Sequence, residues 1–194
     1  MFTTICCLGG TELEDIPLHV IHLSQDDPQK CTSRKMARHG LTELHHDIRH
    51  TPRRGILLNP LSGRILGPDD AGEFSRGGCL VGLDCSWKQL EDSVKFLNNK
   101  TRLKGRTLPI VLAANPVSWG KPGRLSNVEA FATSLFVLGH FKQARQVLRP
   151  FKFGEQFFTL NKEPLEAYSG AETNQQLADL QWEFFDKPED SPND

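Results

Sequence analysis

The chain has 194 residues, of which 38% are hydrophobic and 24% are charged, and its formal net charge is −1 at pH 7. These values are typical of a globular protein and exclude the disordered and fibrous classes. No stretch of about 18 apolar residues occurs, so no membrane-spanning helix is predicted. The N-terminal stretch lacks the basic region and the long apolar core of a signal peptide. We therefore predict a cytoplasmic protein that does not bind membranes.

Cysteines and histidines form no recognisable metal-binding pattern in the sequence. The five cysteines include no C-x-x-C pair and are odd in number, which argues against a zinc ribbon or a disulfide framework. His45, His46 and His50 lie close together, but histidines without a nearby frame of cysteine or acidic ligands are more often solvated. We predict reduced, mostly buried thiols and no bound metal.

The charged residues are distributed unevenly along the chain. Residues 28–126 hold 17 Lys and Arg against 8 Asp and Glu, whereas residues 161–194 hold 2 against 9. A basic body with an acidic C-terminal part favours a polyanionic partner such as nucleic acid. A solvated surface of mixed sign is the alternative, and charge alone does not decide between the two.

The order of the predicted elements in the first half is typical of a mainly parallel α/β layer. Pro28 and Gly40 mark the beginning and the end of a first helix. Cys79–Asp84 is apolar without alternation, as in a strand covered on both faces. A short helix begins after Gly67, and a longer one begins at a capping box that starts with Ser86. The predicted strands lie at residues 18–23, 56–58 and 79–84.

The second half of the chain shows helical spacing of its apolar residues. A basic connector, residues 100–106, leads into a fourth predicted strand that begins at Leu108. The capping box of Ser126 and Glu129 starts the first of four predicted helices. These helices are predicted at residues 128–138, 141–148, 153–160 and 175–185, and residues 187–194 are predicted to be a disordered acidic tail.

The segment Leu108–Ser126 is the best candidate for a ligand-binding loop. It begins as an apolar strand, continues through two X-Pro bonds and two glycines, and ends at a helix start. A loop of this composition between a strand and a helix favours binding of a small ligand against the backbone. An ordinary strand–loop–helix connection would explain the same pattern, so both interpretations stay open.

A second candidate, the sequence Asp84-Cys-Ser-Trp87, follows the third strand at the edge where open α/β sheets bind their ligands. A carboxylate there can bind an ammonium group or accept a proton, and an indole ring can attract a sulphonium ion. The alternatives are that Asp84 caps the next helix and that Trp87 belongs to the core. No P-loop, G-x-G-x-x-G, G-x-S-x-G or H-E-x-x-H motif is present.

Several motifs together resemble those of the small-subunit ribosomal RNA aminocarboxypropyltransferases. They are D-C-S-W from Asp84, L-P-x-x-L-A-A-N-P-V from Leu108, G-K-P-x-R-L-S from Gly120, V-E-A from Val128, D-P-x-K-C-T from Asp27 and F-K-F-G from Phe151. The resemblance covers residues 20–160. The combination is specific to this family, whereas any single motif would be a weak signal.

The resemblance implies a fold and an activity. It implies an N-terminal α/β domain (residues 1–107) with an RNA-facing basic surface, and an all-helical C-terminal domain (residues 108–186) with the cofactor loop, joined by a deep SPOUT-like trefoil knot. Members of the family bind S-adenosylmethionine and transfer its 3-amino-3-carboxypropyl group to N3 of a pseudouridine or methylpseudouridine in small-subunit ribosomal RNA, with release of 5′-methylthioadenosine. The implied partner is this RNA or a pre-ribosomal particle. We predict a monomer, because the helical half can complete the pocket within one chain.

Site residues also follow from the resemblance. Asp84 would bind the amino end of the methionine moiety or act as the base, and Trp87 would pack near the S-methyl group, so that attack falls on the Cγ carbon. The residues implied to contact the cofactor are Thr32, Leu83, Leu108, Gly123 and Asn127. The basic residues expected to contact RNA phosphates are Lys30, Arg34, Lys35, Arg38, Arg64, Arg102, Lys104 and Arg106.

Two other functions would use related chemistry. The first is a knotted RNA methyltransferase with the same cofactor. The second is a ribosome-assembly factor that binds RNA without catalysis, although the presence of Asp84, Trp87 and the complete loop argues against it.

Overall fold

The fold is built on one sheet of parallel strands. The computed structural model describes residues 14–22, 31–84 and 90–187. The strands are ordered β2-β1-β4-β3-β5 across the sheet, and every neighbouring pair is parallel. Their bounds are β1 Leu18–His22, β2 Glu43–His45, β3 Gly55–Leu58, β4 Cys79–Asp84 and β5 Lys104–Arg106. The parallel α/β layer predicted from the sequence is confirmed.

The α-helices of the described residues follow the strands in the first half and each other in the second. They are α1 Thr32–Arg38, α2 Ala71–Phe74, α3 Leu90–Lys100, α4 Asn127–Val137, α5 Phe141–Leu148, α6 Gly154–Leu160, α7 Lys162–Ser169 and α8 Asn174–Leu180. None of the helices in the described part of the chain is long and apolar enough to cross a membrane. The predicted acidic tail lies outside the described residues from position 188 onward.

Both faces of the central strands are buried. The side chains of a strand alternate between its two faces, so consecutive residues of β4 pack into different clusters. Leu80 of β4 packs into the main core together with Phe131 of α4. Val81, the next residue, packs on the opposite face into a smaller cluster with Leu97 of α3. Helices therefore cover the sheet on both sides, which explains the unbroken apolar run of β4.

The prediction of a strand that begins at Leu108 is wrong, because the last strand of the sheet lies earlier, at Lys104–Arg106, where it pairs with β3. The following segment is extended, but its backbone bonds to side chains and to the returning limb of its own loop, and not to a strand of the sheet. Asn161 accepts a hydrogen bond from the N–H of Leu112 at 2.7 Å and donates one to its carbonyl at 2.9 Å. Burial alone therefore made this segment resemble a strand.

The helical half does not form a separate domain, so that part of the predicted fold is wrong. One continuous core contains Leu80 of the sheet together with Phe157 of α6 and Leu177 of α8. At the start of β1, the N–H of Ile16 donates a hydrogen bond to the side-chain oxygen of Gln143 in α5 at 2.9 Å. In the second half α4 packs against β4, and the other helices pack mainly on α4 or on one another within the same core. Helical spacing by itself does not reveal these partners.

The deep SPOUT-like trefoil knot predicted with that domain is wrong as well. Residues 14–22, 31–84 and 90–187 form a parallel sheet with helices on both faces, and no knot is shown within them. The chain order of strands and crossover helices accounts for the contacts between the two halves.

Candidate functional site

The carboxyl ends of β1 and β4 form a topological switch point in the middle of the sheet. After β1 the chain continues to β2 on one side, whereas after β4 it continues through α3 to β5 on the other side. Open α/β sheets bind ligands in the crevice at such a point. The last residues of these two strands, His22 and Asp84, are register partners, so their side chains lie next to each other on one face.

Asp84 is buried and receives two side-chain hydrogen bonds. Its Oδ2 atom accepts a hydrogen bond from Nδ1 of His22 at 2.5 Å and another from the thiol of Cys31 at 3.1 Å. Cys31 is the N-cap residue of α1. Burial is the main cause that raises the pKa of its thiol. The sulfur therefore keeps its proton and is the donor of the hydrogen bond to the carboxylate. The Oδ2 atom of Asp84 is thus held as a hydrogen-bond acceptor by two donors.

Arg34 determines which nitrogen of His22 carries the proton. The guanidinium donates from Nε to Nε2 of His22 at 3.3 Å. A guanidinium has donors only, so Nε2 accepts and Nδ1 carries the proton that is donated to Asp84. A neutral imidazole thus links the cation of Arg34 to the carboxylate. Arg34, predicted as an RNA contact, lies within this cluster of side chains.

Three of the predicted cofactor-binding residues lie around the end of β4. Leu83 precedes the last residue of that strand, and Thr32 is the first residue of α1, next to the buried thiol. Asn127 begins α4, and its Nδ2 donates to the hydroxyl of Ser33 at 3.0 Å. A Cβ atom on Gly82 would lie 2.9 Å from Oδ1 of Asn127. The start of α4 therefore lies directly over β4, and a larger residue at position 82 would displace the Asn127 side chain.

The loop between β5 and α4 is held by the carboxylate of Glu129, which is fully buried. This carboxylate accepts hydrogen bonds from the backbone N–H groups of Ala114 at 2.7 Å, Asn115 at 2.9 Å and Ser126 at 2.8 Å. The side chains of Asn115 and Ser126 donate two further bonds to it, at 2.7 and 2.6 Å. The predicted capping box is confirmed, and the same carboxylate also connects the loop to α4.

Leu108 and Gly123 lie on the two limbs of this loop. Leu108 is partly buried against the main core. Gly123 is exposed with a φ of +67°, and its N–H donates to the carbonyl of Val111 at 2.9 Å. A positive φ of this size favours glycine. The structure thus groups Thr32 and Asn127 with the end of β4, while Leu108 and Gly123 belong to the adjoining loop.

Several residues predicted to contact RNA form hydrogen bonds or ion pairs within the protein. Lys35 donates from Nζ to the carbonyl of Pro150 at 2.6 Å. Arg106 forms an ion pair of 2.7 Å with Asp70, which is buried. The remaining residues of this prediction that the structure describes are exposed, and they are Arg38, Arg64, Arg102 and Lys104.

A basic groove lies at the carboxyl ends of β3 and β5. It has a volume of about 470 Å³, and its lining includes Arg64, Lys104 and Arg106 together with the polar side chains of Asn59 and Ser62. Its lining contains β5 from Lys104 onward and Asn59, which directly follows β3. The groove therefore runs along β5 and reaches the edge of the sheet at which Asp84 lies.

Two predicted residues lie outside the described part of the chain. They are Trp87, within residues 85–89, and Lys30, within residues 23–30. Their roles stay predictions.

Two family models match the chain. The model described as "Ribosome biogenesis protein, C-terminal" matches residues 56–185. The model described as "Possible Fer4-like domain in RNase L inhibitor, RLI" matches residues 16–47. Ferredoxin-type clusters are held by cysteine thiolates, typically four of them, whereas residues 16–47 contain Cys31 as their single cysteine. The residues present do not fit such a cluster.

Relatives match nearly the whole length of the chain. A 16S rRNA aminocarboxypropyltransferase of Methanosarcina mazei is 43% identical over 178 residues, which cover 92% of this chain and 100% of that protein. A protein of the same name from Halobacterium salinarum is 40% identical over 173 residues, which cover 89% and 99%. The chain belongs to this family. The membership predicted from the motifs is confirmed.

A solved structure of the family has the same fold. The SAM-dependent rRNA:acp-transferase Tsr3 from Vulcanisaeta distributa superposes with a TM-score of 0.75 at 33% identity, over 88% of this chain and 96% of that one. The fold of this family member replaces the SPOUT-like knotted fold predicted above.

Sequence reasoning missed three side chains that shape this site. His22 ends an apolar strand, as Asp84 does, but only the pairing of β1 with β4 brings the two together. The sequence predicted Glu129 as part of a helix cap and not as the hydrogen-bond acceptor that holds the preceding loop. Asn161 lies between α6 and α7, too far along the chain from the loop for a local sequence pattern to predict their contact.

Proposed function

We propose that this chain transfers the 3-amino-3-carboxypropyl group of S-adenosylmethionine to N3 of a pseudouridine or methylpseudouridine in small-subunit ribosomal RNA and releases 5′-methylthioadenosine. The observation that carries this proposal is the buried carboxylate of Asp84 at the switch point of the sheet, in a chain whose relatives are named for this transfer. The predicted location in the cytoplasm and the predicted monomer stay predictions.

The residues around the end of β4 fit the donor. S-Adenosylmethionine supplies an electrophilic carbon next to a sulphonium leaving group. Asp84 offers a carboxylate that can bind its ammonium group, because a buried carboxylate is stabilised by a charge-assisted hydrogen bond. Thr32 and Asn127 offer a hydroxyl and an amide from two helix starts beside it. The loop held by Glu129 offers a rigid backbone for the adenine, with Leu108 and Gly123 on its limbs.

The choice of transferred group would be made by orientation. The nucleophile attacks the carbon that it can approach in line with the sulphonium. Trp87 would cover the methyl group, and Asp84 would hold the ammonium group so that the Cγ carbon faces the RNA. The carbon–sulfur bond at Cγ breaks as the new bond to N3 forms.

The acceptor N3–H must lose a proton during attack. Asp84 is the carboxylate best placed to accept it, and His22 and Cys31 orient its Oδ2 atom by hydrogen bonds. Binding the ammonium group and accepting the proton are two separate roles for Asp84, and a substitution can separate them.

The RNA would lie across the carboxyl edge of the sheet. The basic groove lined by Arg64, Lys104 and Arg106 reaches this edge, where Arg64 offers an exposed positive charge. Backbone phosphates supply most of the salt-dependent affinity of RNA-binding proteins. These residues would position the RNA, whereas the acceptor base would reach the donor beside Asp84.

The test uses the full chain, small-subunit RNA that carries the pseudouridine or methylpseudouridine but not the aminocarboxypropyl group, and S-adenosylmethionine labelled either in the carboxyl group or in the methyl group. We expect the carboxyl label to enter RNA and the methyl label to stay with methylthioadenosine. Entry of the methyl label would show an RNA methyltransferase instead. Absence of both labels from RNA would favour an assembly factor without catalysis, above all if calorimetry also detects no cofactor binding.

Asp84→Asn then separates the two roles of the carboxylate. If Asp84 binds the ammonium group, the substitution weakens cofactor affinity and turnover together. If Asp84 is the base, cofactor affinity persists while activity is abolished. Asp92→Asn, which changes an exposed carboxylate of α3, serves as the matched control. Full activity of Asp84→Asn would refute both roles.

A further inference from the structure

A second cluster of ligating side chains lies on the opposite face of the sheet from Asp84. His19 of β1 is the register partner of Glu43 in β2, and Ile21 is the partner of His45. Register partners in a parallel pair point to the same face, so His19 lies beside Glu43 and close to His45, which is two residues further along β2 on that face. The cluster therefore results from strand pairing and not from a chance contact of long surface side chains.

The distances within this cluster suit a metal ion. Nδ1 of His19 lies 2.9 Å from Nε2 of His45 and 3.6 Å from Oε2 of Glu43. One ligand atom from each of the three residues falls within 4.8 Å of the others. Two nitrogens bound tetrahedrally to zinc lie about 3.3 Å apart, given zinc–nitrogen bonds of about 2.0 Å. The two rings need to separate by only a few tenths of an ångström.

We propose that His19, His45 and Glu43 bind a divalent transition-metal ion of the zinc type. Two imidazoles and one carboxylate form a three-ligand set that leaves a coordination position for water. The two histidines are largely buried, whereas Glu43 is exposed, so the ion would enter from the side of the carboxylate.

The protonation of the cluster supports the proposal. Burial first, and then the neighbouring His45, lower the pKa of His19. His19 is therefore neutral near neutral pH and has a lone pair for the metal. The hydrogen bond between the two rings now holds one proton, which must move to the other nitrogen of its ring when both facing nitrogens bind the ion. The negative charge of Glu43 adds attraction for the cation.

The cluster at the functional site is the other combination of ligating atoms within the described residues, and it is less suited to a metal. Each facing atom of His22, Cys31 and Asp84 already takes part in a hydrogen bond. The Arg34 guanidinium lies against the same imidazole, and its charge repels a cation. Burial raises the pKa of the Cys31 thiol, which opposes the thiolate that zinc needs.

A metal at His19, Glu43 and His45 would stabilise the edge of the sheet. β2 has three residues and pairs on one side only, with β1. Bonds from one ion to both strands would add a connection that a short edge strand otherwise lacks. Binding to the folded state alone raises the free energy of unfolding, so the melting temperature should rise with metal concentration.

The test titrates the full chain, without a polyhistidine tag and after treatment with a chelator, with Co(II) as a spectroscopic probe. We expect visible d–d absorption that saturates at one ion per chain, competition by zinc, and a rise in the melting temperature. His19→Asn should lower Co(II) affinity by more than about 100-fold, and Glu43→Gln by about 10-fold. His39→Gln, which changes an exposed histidine outside the cluster, should bind Co(II) as the parent chain does.

Glu43→Gln keeps the proposal testable if a histidine variant fails to fold, because Glu43 is exposed. The absence of Co(II) binding to the parent chain would overturn the proposal. Equal affinities of the parent chain, Glu43→Gln and His19→Asn would overturn it too. A thiolate-to-cobalt charge-transfer band that disappears in Cys31→Ser would assign the metal to the other cluster and would likewise refute it.

Discussion

At the scale of single residues, the behaviour of Asp84 depends on the side chains that hold it. His22 donates to its carboxylate from one ring nitrogen and accepts from Arg34 at the other. This connection orients the carboxylate and links it through two hydrogen bonds to the positive charge of Arg34. Hydrogen bonds in such a buried setting are electrostatically stronger than in water. We expect His22 to be a positioning residue for the proposed reaction.

A matched pair of substitutions tests this role of His22. The side-chain amide of asparagine can take the place of Nδ1 and donate to Asp84, whereas that of glutamine takes the place of Nε2 and leaves the carboxylate without this donor. We expect His22→Gln to lower kcat by about 10-fold or more and His22→Asn to lower it less, since a hydrogen bond to a charged group contributes about 2 kcal/mol. Single-turnover and steady-state assays with labelled cofactor measure this difference.

The separate changes in kcat and KM distinguish positioning from a general loss of stability. A positioning role predicts that His22→Gln lowers kcat while the KM for the RNA stays close to that of the parent chain. Equal loss of kcat in both variants would contradict a positioning role and indicate a purely structural one.

At the scale of elements, the loop before α4 depends on one buried carboxylate. Glu129 receives three backbone and two side-chain hydrogen bonds from the loop and the helix start. Tyr168 of α7 and Asn161 hold the preceding limb by bonds to the backbone of Ile110 and Leu112. Helices of the second half thus position the backbone proposed to bind adenine.

We expect Glu129→Gln to weaken both stability and cofactor affinity. The amide replaces one accepting oxygen by a donor, which then faces N–H groups that can no longer be satisfied. The cost for a buried, charge-assisted set of bonds is about 3 kcal/mol, so chemical denaturation should show a lower free energy of unfolding. Calorimetry should show weaker binding of S-adenosylmethionine.

Glu155→Gln, an exposed change in the first turn of α6, controls for the loss of a charge at a helix start. It should change the unfolding free energy by less than about 1 kcal/mol. Unchanged cofactor affinity in Glu129→Gln would contradict the proposed role of the loop, even if stability decreased.

At the scale of the whole molecule, the predicted basic surface divides into two groups. Arg34 and Lys35 form hydrogen bonds, and Arg106 forms an ion pair, with other residues of the protein. Lys104 forms an ion pair of 2.6 Å with Glu73, and this contact is the main cause that lowers the pKa of that carboxyl group. Among the predicted residues that the structure describes, Arg64 therefore remains as the exposed charge at the carboxyl edge of the sheet, because Arg38 ends α1 and Arg102 precedes β5, which places both toward the amino edge.

Reversal of the exposed charge of Arg64, in Arg64→Glu, should weaken RNA binding and reduce its salt dependence. Each phosphate contact contributes a slope of about 0.7 in a plot of log affinity against log salt for single-stranded RNA. Filter binding at several salt concentrations measures this slope, and calorimetry should find cofactor affinity unchanged. An unchanged slope would contradict an RNA surface at this edge.

The corresponding change at Arg34 should behave differently. Arg34→Glu would place a second negative charge near Asp84, so we expect a loss of activity that salt does not restore. Its comparison with Arg64→Glu separates the charge of the site from the charge of the RNA surface.

Local patterns in the sequence were enough to predict the central part of the fold. The apolar runs that became β1, β3 and β4, and the capping box of Ser126 and Glu129, are local signals, because burial and backbone capping depend on neighbouring residues. The motif from Asp84 and the loop from Leu108 also identified the family. The helix at residues 141–148 was predicted with the bounds that the structure has.

Other features depend on partners far away in the chain. β2 is a short polar edge strand and the run from Leu108 pairs with no strand of the sheet, so hydrophobicity predicted neither correctly. The predicted knot and separate helical domain failed because apolar helix faces do not specify what they pack against. His22 reaches Asp84, and His19 reaches His45, only through strand pairing. The sequence by itself determined the elements and the family, whereas the tertiary structure alone decided which side chains meet, because those contacts join residues that are distant in sequence.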